Sequence, residues 1–194
     1  MVITTSWLGA LGPATPLPRR HMPAVSVVRT YLELTAPEQL RPADNPDATL
    51  HVERSDGASA VALSRELYRT VGADYYWRDR LSWSDEQLAA YLALPAVSVW
   101  VLYAGNEPAG FFELRAHNDG SVEIVYFGLL QRYMGRGAGK FLLTRAAEEA
   151  WRLGAERVWL HTCTLDSPAA LPNYLARGFS PFRTETYTAQ LPDA

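Results

Sequence analysis

The sequence predicts an α+β fold, in which a single mixed, mostly antiparallel sheet is flanked by helices. Three observations favour this class. Segments rich in β-branched and aromatic residues recur along the chain and are typical of strands. Segments with apolar residues three and four positions apart separate some of these strands and indicate helices. Short turns join other strands directly, so the sheet combines antiparallel hairpins with parallel crossovers.

Glycines, prolines and a capping motif delimit the elements of the first part of the chain. Gly72 ends the first helix, and Ser84 with Gln87 forms a capping box that opens the second. Residues 1–22 are irregular and contain several prolines, so we expect a flexible N-terminal extension ahead of a domain spanning 23–194. The predicted elements are a strand at 25–34, a loop at 36–47, a short strand at 50–53, and helices at 58–71 and 84–94.

Turn sequences delimit the second part in the same way. Residues 105–108 and 118–120 join three consecutive strands, and Gly154 ends the amphipathic helix that follows. Ser167 with Pro168 opens the last helix. The predicted elements are strands at 97–103, 109–115 and 122–129, a helix at 140–153, a strand at 157–164, a helix from 167, and a strand at 182–191.

The composition describes one ordinary domain. The chain has 194 residues, of which 48% are hydrophobic, and a formal net charge of -3. That content suffices for one sizeable core, and the charge does not indicate nucleic-acid binding. No apolar run approaches the ~18 residues of a membrane span. The single cysteine, Cys163, excludes an intramolecular disulfide and favours a reducing, cytoplasmic location, and the scattered histidines predict no metal site.

Residues 134–140 carry the strongest functional signal. Gly135, Gly137 and Gly139 alternate just before a predicted helix, where glycine lets the backbone approach a ligand closely. Free N–H groups at a helix start, reinforced by the helix dipole, bind phosphate. The segment therefore indicates either a phosphate site or an ordinary tight turn. A nucleotide-triphosphate loop is disfavoured because Phe141, not a hydroxyl residue, follows Lys140, and Lys140 also stands where a dinucleotide fingerprint needs glycine.

The same segment resembles the acyl-CoA-binding motif of the GNAT superfamily of N-acetyltransferases, Q/R-x-x-G-x-G/A. Gly137 and Gly139 fill its two small positions, and Met134 stands where the family usually has Gln or Arg. A second segment, with Tyr174 four residues before Gly178 and Phe179, is similar to the family's late Y-x-x-x-G-F signature. The predicted order of elements is also that of the GNAT fold.

This resemblance implies that acetyl-CoA is the co-substrate and that its acyl group passes to an amine, with no metal involved. It places the pantetheine and the oxyanion on the main chain at Phe127–Leu129. Gly128 there is either a bulge that separates this strand from the next or a plain strand glycine. The cofactor-binding residues so implied are Phe127, Gly128, Leu129, Met134, Gly135, Arg136, Gly137, Ala138, Gly139, Lys140 and Ser167, the last standing where many relatives have Asn.

Glu123 is the candidate base. An amine of pKa ~10.4 is neutral in only about one part in 10³ at pH 7, so its proton must be removed. Glu123 lies in a strand with apolar residues on both faces, where burial would raise the carboxyl pKa. In histone-acetylating relatives a Glu-Ile-Val-aromatic strand carries the catalytic Glu, eleven positions before the glycine motif, and Glu123 stands so before Met134. The alternative is a solvated carboxylate at the start of the strand.

Tyr174 is the candidate acid for the departing thiolate, because it matches the tyrosine of the family signature. The alternative is a core aromatic residue on an amphipathic helix. The connection at 72–83 is dense in aromatic and charged residues, and in relatives it lines the acceptor pocket. Tyr76, Trp77 and Arg80 are therefore the candidate substrate-binding residues, with a hydrophobic plug under a loop as the alternative. His161 is interpreted as a packing or acceptor-side residue.

Three functions compete at this stage. The favoured one is an acetyl-CoA-dependent N-acetyltransferase that uses direct transfer in a ternary complex, since Cys163 has no evident paired base for a covalent route. The second is a non-catalytic acyl-CoA sensor, which the presence of Glu123 and Tyr174 disfavours. The third is a nucleotide-phosphate binder. The expected partner is a small-molecule or peptide amine, with no nucleic acid and no membrane, and the sequence leaves a homodimer open.

Overall fold

The computed structural model describes residues 24–191, so the predicted extension at 1–22 lies outside the described residues. Within them the chain forms one sheet and four α-helices. The strands are β1 Ala24–Leu34, β2 Leu50–Ser55, β3 Val97–Ala104, β4 Glu107–Ala116, β5 Ser121–Leu129, β6 Arg157–Cys163 and β7 Ser180–Gln190. The helices are α1 Ala58–Gly72, α2 Asp85–Leu92, α3 Ala138–Arg152 and α4 Ala170–Ala176.

The sheet has the order β2-β3-β4-β5-β6-β1-β7. Every neighbouring pair is antiparallel except β5 and β6, which are parallel because α3 carries the chain back across the sheet between them. The predicted class, an α+β fold on one mixed and mostly antiparallel sheet, is thereby confirmed. The short strand expected at 50–53 is present as β2 and forms one edge of the sheet.

Helices cover both faces of the sheet. The larger buried cluster joins α3 side chains such as Leu142 and Leu143 to Leu102 and Phe112 of the sheet. The smaller one joins α1 side chains such as Leu67 to Val101. Leu102 and Val101 are consecutive in β3 and face opposite sides, as the strand period of two requires. Full burial of each large aliphatic side chain stabilises the fold by about 1.5–3 kcal/mol.

The structure locates an irregularity in β5 that the sequence did not predict. Glu113 pairs with Tyr126 and Leu114 with Ile124, so Val125 has no partner in β4 and forms a bulge. One extra residue reverses the alternation of side chains beyond it. Ile124 and Phe127 therefore pack in the same cluster, on the α3 side, while Tyr126 packs on the α1 side. Of the two alternatives left open for Gly128, the pairing agrees with a plain strand glycine, because Gly128 pairs regularly with Phe111.

Candidate active site

A cavity opens where β5 and β6 part. The two strands pair only over Ser121–Glu123 and Arg157–Trp159, at the start of each strand. Beyond that point they diverge, and a cavity of about 950 Å³ lies between the C-terminal half of β5, the glycine loop, α4 and the connection between α1 and α2. This volume lies at the upper end of the range of about 300–1,000 Å³ found for small-molecule sites.

The main chain of β5 offers hydrogen-bond donors to this gap. The Leu130 N–H donates to the Ala109 carbonyl at 2.9 Å, on the β4 side. Because the direction of the N–H groups alternates along a strand, those of Phe127 and Leu129 point away from β4 and toward the gap. Both residues line the cavity. The expected main-chain contacts at Phe127 and Leu129 are therefore compatible with the structure.

The glycine at position 128 is required for helix packing. A Cβ atom at this position would lie 2.4 Å from Cγ1 of Val71, too close for any side chain. Glycine thus lets α1 pack directly on β5, which brings the connection after α1 to the cavity. Trp77, in that connection, lies beside the same point, with Cη2 3.8 Å from the Cβ position.

The glycine loop presents free N–H groups at the start of α3. Gly135 and Gly137 adopt φ of 76° and 87°, a left-handed backbone that favours glycine. Within residues 24–191, the backbone N–H groups from Gly135 to Gly139 donate to no acceptor, whereas those of Lys140 and Phe141 return to the Gly137 carbonyl. Unpaired N–H groups at the positive end of a 15-residue helix form an anion site.

Most of the residues that the resemblance implied for cofactor binding do come together. Met134, Gly135, Gly137, Gly139, Lys140 and Ser167 all line the cavity. Two of the implied residues do not. Ala138 is buried in the core under the loop, and Arg136 is exposed outside the cavity. Ala138 can contribute only its main chain, whereas the Arg136 side chain adds positive charge near the loop.

Tyr174 lies on the cavity wall, on α4. Its ring is buried between those of Phe127 and Phe179, at centroid distances of 6.1 and 6.3 Å. Its hydroxyl forms no hydrogen bond with any described residue. Burial, with a smaller effect from the Asp166 carboxylate, raises the pKa of Tyr174, so the phenol keeps its proton throughout the physiological range. The expectation that α4 starts at Ser167 is corrected to Ala170, because a turn in which the Ala170 N–H donates to the Ser167 carbonyl precedes the helix.

Glu123 lies apart from the cavity. It occupies the paired start of β5, opposite Trp159, and does not line the cavity wall. Its Oε2 atom lies 3.1 Å from Nε2 of His117, outside the gap. The bulge at Val125 also places Glu123 and Phe127 on opposite faces of β5, although a regular strand would put residues four positions apart on one face. The position of Glu123 therefore does not support direct contact with an acceptor amine.

The acceptor-side residues divide into two groups. Tyr76 and Trp77 line the cavity, and the Trp77 ring lies 5.0 Å from that of Tyr126. Arg80, also expected to bind substrate, is turned away from the cavity. Its guanidinium forms a bidentate pair with Glu113 at 2.5 and 2.7 Å, and Glu113 is 1% exposed. Burial alone would lower the pKa of Arg80, but the Glu113 carboxylate outweighs this effect and raises the pKa above its ordinary value. Arg80 is thus a structural residue of the α1–α2 connection.

Sequence reasoning missed Asp79. Its carboxylate lines the cavity and accepts hydrogen bonds from two tyrosine hydroxyls, that of Tyr68 at 2.7 Å and that of Tyr126. Partial burial would raise the pKa of Asp79, but the bonds from Tyr126 and Tyr68 outweigh it and lower the pKa. The sequence held one signal, a carboxylate within the aromatic connection, but nothing that distinguished it from its charged neighbours.

The structure also makes His161 a candidate site residue. It lines the cavity from β6, and its ring forms no hydrogen bond with the described residues. His161 is exposed to the cavity, but the protein on the other sides of the ring still lowers its pKa, helped by Arg29 and opposed by the carboxylates of Glu123, Asp166 and Glu185. The Tyr31 ring holds it from β1, edge to face at 5.6 Å. A neutral imidazole with free ring nitrogens can accept a proton at neutral pH.

Comparison with known proteins identifies the family of the chain. The model of the acetyltransferase (GNAT) family matches residues 64–179, more than half of the chain. The protein therefore belongs to the GNAT family of acetyltransferases. The match includes α1 from Ser64 onward, the whole of β5, the glycine loop and the Tyr174 motif. No curated protein is significantly similar to the chain in sequence.

Solved structures share the fold. A GCN5-related N-acetyltransferase from Kribbella flavida has a TM-score of 0.62 at 20% identity, over 88% of this chain and 61% of its own. An aminoglycoside acetyltransferase from an uncultured soil metagenomic sample, solved with sisomicin, gives 0.58 at 18% identity over 69% of this chain and 90% of its own. A Bacillus subtilis acetyltransferase, solved with CoA, gives 0.51 at 26% identity over 68% of this chain and 76% of its own. This chain spans about three fifths of the length of the Kribbella protein. No helix within residues 24–191 is long and apolar enough to cross a membrane.

Proposed function

We propose that the protein transfers an acyl group from acetyl-CoA to an amine by direct attack in a ternary complex. The observation that carries this proposal is one continuous cavity. At one end it reaches the free N–H groups of Gly135–Gly139, and its wall holds the phenol of Tyr174 and the aromatic side chains of the acceptor side. Members of the family are acetyltransferases, and the B. subtilis relative was solved with CoA.

The residues fit the chemistry of CoA. The pyrophosphate would accept hydrogen bonds from the loop N–H groups, with Lys140 and Arg136 supplying positive charge. The pantetheine arm would follow the gap between β5 and β6. The Phe127 N–H, which points into this gap, is the donor we assign to the oxygen that gains charge during attack.

Two side chains would take part in proton transfer during the reaction. Tyr174 keeps its proton, so its hydroxyl would always be available to donate a hydrogen bond to the departing sulphur. We assign His161, not Glu123, as the group that accepts the amine proton, because His161 lines the cavity and has free ring nitrogens. Glu123 is close enough to His161 for its charge to raise the pKa of the imidazole, and its role would be limited to this effect.

A covalent cysteine route is disfavoured. Cys163 lines the cavity, but burial raises the pKa of its thiol, which leaves little thiolate for attack. Initial rates with acetyl-CoA and an amine varied together distinguish the routes. Direct transfer predicts intersecting double-reciprocal lines, and parallel lines would contradict it. A non-catalytic acyl-CoA sensor is the alternative, and it would bind CoA without turnover.

A further inference from the structure

One wall of the cavity holds a negative charge without a matching cation. Within the described residues, Asp79 forms no ion pair, although Arg80 is next to it in the chain. Arg80 is balanced by Glu113, which binds both of its terminal nitrogens and also accepts a hydrogen bond from Tyr91 at 2.7 Å. The buried pair therefore leaves the charge of Asp79 facing the cavity.

The Asp79 carboxylate is fixed and stays ionised. Tyr68 and Tyr126 each donate to a different one of its oxygens, and these two rings pack edge to face with centroids 5.1 Å apart. Burial raises the pKa of both tyrosines, so both hydroxyls remain donors. Aromatic rings stand beside the carboxylate, since Trp77 packs on Tyr126 and Tyr76 lines the same wall.

We infer that Asp79 and the ring of Trp77 form the subsite that receives the ammonium group of the acceptor. This inference rests on the proposed function and deepens it. A carboxylate supplies a charge-assisted hydrogen bond, and aromatic faces attract a cation. Binding as ammonium would place the amine in the cavity before His161 takes its proton.

The other charges of the cavity limit the acceptor to a monoamine. Arg78 also lines the cavity, and its guanidinium lies 5.9 Å from the centre of the Tyr76 ring. Arg29, across the gap, is a further cation of the lining and pairs with Glu185 at 3.2 Å. The second carboxylate of the cavity, Asp166, accepts bonds from the Thr162 hydroxyl and the Cys163 N–H, both at 2.8 Å. The lining of the cavity therefore carries three cations, Arg29, Arg78 and Lys140, against the two carboxylates of Asp79 and Asp166, a balance that does not favour a second ammonium group. The acceptor class is one ammonium group on an apolar or aromatic body, rather than a polyamine or an aminoglycoside.

Calorimetry on the protein saturated with CoA tests this inference without turnover. The probe is phenethyltrimethylammonium, which cannot be acetylated, and its control is the neutral isostere with a carbon in place of the nitrogen. The quaternary nitrogen has no N–H to donate, so only its charge is tested, and we expect the wild type to bind the cation about 2- to 30-fold more tightly, the scale of a cation–π contact. Asp79→Asn should abolish this preference and keep CoA affinity. Asp74→Asn, an exposed carboxylate of the same connection outside the cavity, should retain it.

Two results would overturn the inference. One is equal affinity of the wild type for cation and isostere, or an unchanged preference in a folded Asp79→Asn variant. The other is tighter binding of spermidine or kanamycin than of 2-phenylethylamine. If Asp79→Asn does not fold, Tyr126→Phe replaces it. Loss of this donor should raise the pKa of Asp79, so as the pH falls the variant should lose its preference for the cation at a higher pH than the wild type does. An unaltered pH dependence would count against the subsite. Acetylation of polyamines would refute only the subsite, whereas absence of thiol release with every amine would refute only the proposed function.

Discussion

The side-chain amide of Asn173 donates a hydrogen bond of 3.2 Å to the main-chain carbonyl of Gly139. This bond ties α4 to the first turn of α3. Because Tyr174 follows Asn173 in the chain, the same bond fixes the phenol relative to the glycine loop. The residues that would bind the phosphates and the residue that would assist the departing sulphur are therefore held as one unit.

Tyr174→Phe should slow turnover and leave CoA binding intact. The substitution removes only a hydroxyl that has no partner among the described residues, so the fold should keep its stability. Help from a positioned acid is worth about 10²–10⁴-fold in rate. Single-turnover kinetics, with CoA affinity measured in parallel, would check this. Tyr103→Phe, on β3 away from the cavity, is the matched control. Unchanged chemistry in Tyr174→Phe would make Tyr174 a packing residue. Because the pKa of Tyr174 is raised, its titration should produce no basic limb below pH ~10.

Gly137→Ala should weaken CoA binding, and the loss of stability that it causes should not account for the weaker binding. Gly137 has φ of 87°, and an added Cβ would lie 3.3 Å from Cβ of Pro46. Gly154 has φ of 83° with open space around it, so Gly154→Ala isolates the backbone strain, about 1–2 kcal/mol. Both variants should lose stability in thermal unfolding, but only Gly137→Ala should lose CoA affinity, by about tenfold or more. Equal CoA affinity in the two variants would remove the loop from the site.

His161→Gln and Glu123→Gln separate the two candidate bases. The pKa of His161 is lowered, so its neutral form persists below pH ~6.5, and the kcat of the wild type should fall only under that pH. His161→Gln should lower kcat by about 10²-fold or more and abolish this acidic limb. Glu123→Gln should have a smaller effect and keep the limb. If Glu123→Gln instead removed the limb and His161→Gln kept it, Glu123 would be the base that the sequence predicted.

Arg80→Met should lower the stability of the fold. Breaking the buried pair leaves Glu113 uncompensated, which costs about 3–5 kcal/mol in the free energy of unfolding. Arg132→Met removes an exposed arginine of the Arg132–Glu107 pair and should change stability little. Chemical denaturation of both variants checks the difference. A stable Arg80→Met variant with a raised KM for the amine would return Arg80 to the substrate site.

The sequence predicted the fold well, and the glycine loop lies before α3 as its motif indicated, because both depend on local signals. Strand patterns, the capping box at Ser84 and the alternating glycines each act over a few residues, and each appears where it was expected. The boundaries shifted by one to three residues, for example at the start of α3, where Gly137 rather than Gly139 is the last residue before the helix.

The proton-handling and acceptor residues depend on long-range geometry that the sequence does not carry. The bulge at Val125 reverses the faces of β5, which separates Glu123 from Phe127 and brings Tyr126 to Asp79. The pairing of Arg80 with Glu113 joins residues 33 positions apart and leaves Asp79 as the free charge. Neither event leaves a pattern within a short window of sequence.

The most direct test of the account is the stoichiometry of acyl transfer. The protein is mixed with acetyl-CoA and a panel of primary monoamines, and free CoA thiol and acetylated amine are quantified together. If the protein transfers the acyl group to the amine, both products form in equal amounts, neither forms without the amine, and Tyr174→Phe slows both alike. Tight binding of CoA with no thiol release above the blank, for every amine, would contradict it and identify the protein as an acyl-CoA sensor.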